Sequence, residues 1–367
     1  MRTHDPEFKP PFCPRPTCRY HRDPTGWVYH ADGTHARKAW PHVIRRFRCS
    51  SCHRCFSTQT FDTTYWLERP DIQPVVLLGL AGGSCFRQVA RELGVVHSTV
   101  LRQSERLGRH CLLFQQDRRP KVLPDEHLVL DGLQTFEYSQ YWPCDFNVLV
   151  GRDSHFFHAF TDAELRRSGR MKPRQAKRRQ VLEERHGKPD PRATEKEVEQ
   201  LLRLVLPEPA AATLFSDEHP SYPRALERLD GYRIEHQRVP SKRARTPDNP
   251  LFPANLLDLL LRHGSKNHTR ETIAFSKRRQ NAAERLAIFQ VWRNFMKRFS
   301  EKRSDSPSPA MKLGLTRRLL GTGDVLRRRL FPSLVELPAR WQRYYDREIE
   351  TRQIPNGRRH LRWQYIY

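Results

Sequence analysis

Residues 127–160 read HLVLDGLQTFEYSQYWPCDFNVLVGRDSHFFHAF. Three short runs rich in Val, Leu and Phe (127–131, 146–150 and 155–160) are separated by Gly, Ser, Pro and Asp, the pattern of consecutive strands joined by tight connections. Downstream the texture alternates. A helix is expected at 194–206, a fourth strand at 213–215 ending in Ser216-Asp217, a helix at 222–229 and a fifth strand at 232–236. A Pro- and Arg-containing loop (241–250) then leads into a long helical region reaching about residue 303.

Three strands, a helix, a strand, a helix, a strand and then helices is the order of a ribonuclease-H-like α/β core. In that fold the first and fourth strands are neighbours. Asp131 ends the first and Asp217 ends the fourth, so two acids 86 residues apart are expected to meet. Carboxylates that close repel unless divalent metals lie between them. A pair of Mg²⁺ (or Mn²⁺) ions about 3.5–4 Å apart would then serve phosphodiester chemistry. A third ligand is expected from the helix after the fifth strand, where PANLLDLLLR (253–262) contains no Glu. Asn255 offers a neutral amide oxygen, Asp258 lies one turn on, and Glu284 in the next helix supplies a Glu.

Upstream, residues 71–118 place apolar side chains three and four apart. FRQVARELGVVHSTVLRQSERLG (86–108) has the two-helix, Gly-turn form of a major-groove reader, a helix-turn-helix. Ser98 and Thr99 would touch phosphates from the second helix's start, and Arg102 and Gln103 would reach bases or backbone. Residues 1–66 are rich in Cys, Pro and Arg. Cys13-x4-Cys18 and Cys49-x2-Cys52 have the spacing of a structural Zn²⁺ site, with Cys55 competing for the second pair.

The 367 residues carry 66 Lys and Arg against 41 Asp and Glu, a net charge of +25. That excess points to a polyanion, and double-stranded DNA is the natural one. Arg262, Lys266 and Arg270, with Lys277, Arg278 and Arg279, form an expected phosphate-binding surface. Trp292, Arg293 and Asn294 are candidates for the DNA path, and a basic stretch, 166–188, holds ten Lys and Arg against two Glu. The longest apolar run, 75–81, spans seven residues, far below the roughly 18 of a membrane span, so no membrane partner is expected.

The organisation read from these patterns is a multidomain α+β chain: a zinc ribbon (1–66), a helix-turn-helix (71–118), a ribonuclease-H-like core (125–303) with a basic insertion (166–206), and, after a Ser/Pro linker, a basic helical C-terminal region (304–367). The joint occurrence of RRFRCSSCHRCFSTQTF (45–61), LVLDGLQTFEY (128–138), LFSDEHPSYPRAL (214–226), RETIAFSKRR (270–279), WRNF (292–295) and SPAMKLGL (308–315) resembles the bacterial insertion-sequence transposases of the DDE type. Members carry two Asp and a Glu, with Lys or Arg seven residues after the Glu. Asp131 and Asp217 match the two Asp. Counting back from Arg262 puts Asn255 where the Glu is expected, a departure from the family. The resemblance implies metal-dependent cleavage and strand transfer at element ends, a homodimer on terminal repeats and target DNA, and a cytoplasmic, nucleoid-associated location. The alternatives are a non-catalytic DNA-binding protein (a transcription factor or decayed transposase) and a ribonuclease acting on RNA–DNA hybrids, which gives no reason for a helix-turn-helix.

Overall fold

The computed structural model describes residues 7–122, 124–270 and 272–354; the ends of the expected first and last segments, 1–6 and 355–367, lie outside them. Strands β1 (Tyr29–Ala36), β2 (Val43–Cys49) and β3 (Cys55–Ser57) pair antiparallel in that order. Phe47 and Phe56, opposite one another on β2 and β3, stack at 5.7 Å between ring centres and give this small sheet its apolar side.

Three helices follow, α1 (Gln73–Ala81), α2 (Phe86–Glu92) and α3 (His97–Arg118). Gly94 links the last two at φ +61°, a left-handed conformation that costs a residue bearing a Cβ. Val89, Val100, Leu107 and Cys111 are buried at the spacing that directs one face of each helix inward.

The large sheet contains β4 (Leu128–Phe136), β5 (Pro143–Gly151) and β6 (Phe157–Glu164). After helices α4 (Pro173–His186) and α5 (Ala193–Val205) come β7 (Ala210–Ser216), helix α6 (Ser221–Leu226) and β8 (Tyr232–Arg238). Strand order is β6-β5-β4-β7-β8. The first three strands are antiparallel neighbours, while β7 and β8 run parallel to β4. The chain is thus a mixed α+β protein. No helix among the described residues is long and apolar enough to cross a membrane.

Two expectations change. The basic stretch 166–188 holds α4, begun at Pro173 and anchored by buried Glu183, which accepts from Arg166 at 2.8 Å. The helical region expected after residue 250, with Glu284 in its second helix, holds α7 (Phe252–Gly264) and α8 (Arg279–Val291), and a single tight turn and a loop separate them. Every residue of α8 but half-buried Asn281 is buried, because α3 and α1 pack around it.

The other change concerns the C-terminal segment, which is not a peripheral tail. Ser306 and Ser308 are buried, and α9 (Pro309–Lys312), α10 (Thr322–Val325) and α11 (Ala339–Tyr345) return to the core. Trp341 and Tyr344 are fully buried against Phe160 of β6, and the Trp341 indole donates to the Phe160 carbonyl at 3.0 Å. The aromatic residues in an otherwise basic sequence are what return it. Trp341→Ala is expected to lower unfolding free energy by about 3–5 kcal/mol, the usual range for deleting a buried aromatic side chain, read from the denaturant midpoint.

Candidate metal centres

Two turns build the N-terminal centre. In the first, the Cys18 amide donates to the Arg15 carbonyl at 3.0 Å; in the second, the His53 amide returns to the Cys49 carbonyl at 2.9 Å. The Sγ atoms of Cys13, Cys18, Cys49 and Cys52 all lie within 4.8 Å of one another. Cys13 and Cys52 are 3.6 Å apart and Cys18 and Cys49 3.9 Å, close to the roughly 3.8 Å edge of a tetrahedron with zinc–sulfur bonds near 2.3 Å. Burial opposes ionisation of Cys49, yet the amides of Cys52 and Ser51 and the Trp27 indole, 3.3 Å away, bring its thiol down to about 7. Four thiols so placed fit a structural Zn²⁺, with no position left for water. Cys55 stands apart on β3, where it bonds the Asp32 carboxylate.

The second centre lies where the pairing of β4 with β7 stops: Asp217 follows the end of β7 as expected, but Asp131 does not end its strand, because β4 continues to Phe136 along β5. The parallel β4–β7 register pairs Leu128 with Leu214 and Val129 with Phe215. Asp131 and Asp217 each stand two residues further on, at matching positions. Asp131 accepts from the Gly132 amide at 2.8 Å, and Asp217 from the His219 amide at 2.9 Å. Burial pushes Asp131 up to about 6, and the Asp217 charge adds to it.

Two further carboxylates join them. Asp258 on α7 is pushed up to about 8 by burial and then by the Asp131 charge, against the pull of Arg262, which lies 3.5 Å away. Asp145 on β5 was not singled out from the sequence. Burial and the Asp131 charge push it up to about 7. A Cβ on Gly132 would fall 2.5 Å from its Oδ2, so the missing side chain makes room for this carboxylate. The Oδ1 atoms of Asp145 and Asp258 are buried with no hydrogen-bond partner. The available signal was a charged residue inside the otherwise apolar strand CDFNVLV (144–150).

An all-oxygen donor set with unsatisfied buried carboxylate oxygens suits a hard divalent cation. Among the described residues only the four thiols gather as a group of possible metal ligands within 4.8 Å of one another; these carboxylates do not.

The remaining candidates divide. Asn255 is half-buried one turn before Asp258 on α7. Glu284 is elsewhere: it is fully buried, lies against Gly108 of α3, pairs with Arg347 at 2.9 Å and accepts from the Gln280 amide at 3.0 Å. Ser98 and Thr99 occupy the first turn of α3, which starts at His97, and Arg102 is exposed. Gln103 is not available to bases. It faces the core, one turn from Val100 and Leu107, and its amide donates to the Arg69 carbonyl.

Lys266 and Arg270 are exposed, and Arg270 bonds Gln134 of β4. Arg279 departs from the expected phosphate-binding surface: it is buried and pairs with Glu137, Asp162 and Glu164 at 3.1, 2.6 and 2.8 Å. Arg293 and Asn294 are buried as well, Asn294 bonding Gln115 and the Phe157 backbone; Trp292 packs partly buried on the core. No protein-family model matches the chain, and no curated protein matches it.

Two predictions follow from this geometry. The purified protein is expected to hold one Zn²⁺ per chain by elemental analysis; Cys49→Ser should lose it and Cys55→Ser should keep it. Asp131, Asp145 and Asp258 sit above their unfolded pKa, so without divalent cations their contribution to stability is present below about pH 4 and is lost as pH rises through 6 to 8. Metal-free Asp145→Asn should therefore be more stable than wild type at about pH 8, by on the order of 2 kcal/mol, and indistinguishable near pH 4, read as denaturation midpoints.

Proposed function

We propose that the protein is a DNA transposase of the DDE type, cleaving and joining phosphodiesters at the ends of an insertion sequence. The observation that carries the reading is the in-register placement of Asp131 and Asp217 two residues past the β4–β7 pairing, with the Asp217 charge helping to raise the Asp131 carboxyl. Strand order in the large sheet supports reading it as ribonuclease-H-like. The Gly94 turn between α2 and α3, with Arg102 exposed, supports reading that pair as a helix-turn-helix that grips DNA.

Asp131, Asp217 and Asp258 would hold the divalent cations, with Asp145 beside them. Cations held there would supply charge to activate the attacking oxygen and stabilise the leaving one. The chain's own residues place the strand. Lys266 and Arg270, exposed in the segment after α7, offer charge to phosphates, and Arg262 holds Asp258 in place. Asp258 takes the third position in this reading rather than Asn255, because a carboxylate offsets cation charge and an amide does not. The four-thiol module would hold the terminal repeats, and a second copy the other end.

The alternative, a DNA-binding protein without catalysis, is favoured by Asn255 at the position of the family Glu and by Arg262 serving as an internal counter-ion to Asp258. Oligonucleotides copied from the DNA flanking the gene separate the two. With Mg²⁺, wild type should nick and join them, while Asp131→Ala, Asp217→Ala and Asp258→Ala should each lose activity by about a hundredfold or more with binding retained. Binding without any cutting by wild type would establish the alternative.

A further inference from the structure

A cavity of about 310 Å³ opens beside the N-terminal sheet, and none of the four clustered cysteines or the carboxylates of the second centre lines it. This is the lower end of the range for organic ligands, about 300–1,000 Å³. Ile44, Phe56 and Tyr65 make its apolar floor and Trp66 stands at its side. The Trp66 indole is 69% exposed and its backbone has φ +60°, a conformation uncommon for a bulky residue. Strain retained to hold a large ring in solvent is a mark of use.

The cavity has one polar feature without a partner. Gln59 is 94% buried, being 6% exposed, and lines the space. Its Oε1 accepts from Arg37 at 3.3 Å, which fixes the amide's orientation. Its Nε2 is then left buried with no acceptor. An unmet buried donor costs about 1–3 kcal/mol, and a ligand acceptor would remove that penalty once the side chain turns its Nε2, now screened, toward the cavity. Arg46 and Arg329 also border the cavity, adding positive charge to its rim.

We propose that this cavity binds an unpaired nucleobase, stacked on Trp66, bonded through a ring or carbonyl acceptor to the Gln59 amide, with its phosphate beside Arg46. A flat ring matches an exposed indole over an apolar floor, and the cationic rim suits the attached phosphate. The inference rests on the reading that DNA is the partner, and adds that the module engages a base outside the duplex.

The full-length zinc-loaded chain would be titrated with a paired duplex, with the same duplex carrying one unpaired terminal pyrrolocytosine, and with deoxycytidine monophosphate. The unpaired duplex should bind at least about fivefold tighter than the paired one, with quenched probe fluorescence. Trp66→Ala, a change on the surface, should abolish both differences and leave paired-duplex binding unchanged. Gln59→Glu, which lacks the donor, should reduce the preference. Equal binding of both duplexes, unaffected by Trp66→Ala, overturns the cavity assignment and leaves the DNA reading intact. Trp66-dependent capture of the monophosphate with neither duplex bound supports the nucleobase site and overturns DNA as its source.

Discussion

The parallel contact between β4 and β7 consists of two residue pairs, Leu128 with Leu214 and Val129 with Phe215. On one side of it lies an antiparallel meander; on the other, β7 and β8. Both halves of the large sheet meet there, and two acidic side chains emerge just past it. A short seam suffices because it is buried: Leu128, Val129 and Leu214 are almost wholly removed from water, and Leu251 and Ala254 at the start of α7 close over Val129. The same burial deprives the nearby carboxylates of solvent. The hydrophobic packing that brings the acids together is therefore also what makes their negative charge costly.

A chain with so large a cationic excess spends part of it internally. Arg279 and Arg340 converge on Asp162, and Arg340 also reaches Glu197 at 2.6 Å. Arg347 joins Glu105 and Glu284. These buried pairs join α8 and α11 to the edge of the sheet, where leaving either partner unpaired would cost several kcal/mol. The charge left outside, on α4 and around Lys266 and Arg270, is the part that can act on a polyanion.

The C-terminal segment also bonds the cysteine module to the rest. Phe331 packs on Phe12 and Phe61, and the Ser333 hydroxyl meets the His21 ring at 2.7 Å. A module too small to bury a core of its own thus leans on both thiol chemistry and borrowed aromatic area.

The sequence by itself determined the mixed α+β class, the positions of the five strands in the large sheet, the Gly94 turn and the two Cys pairs. Each of these is written in local spacing: period-two or helical apolar runs, a glycine where a left-handed residue is required, and two sulfurs per turn. Tertiary structure decided the rest. Gln103 and Arg279 look like surface residues by type, but the faces they occupy are buried by partners distant in the chain. Asp145, opposite Gln134 on β4, reaches the acidic centre because Gly132, two residues away on that neighbouring strand, leaves room for its carboxylate, a relation that spacing along one strand does not contain. The C-terminal region was legible as helical, but its return to the core was hidden by a charge-rich composition, although a few aromatic side chains bury enough area to outweigh it.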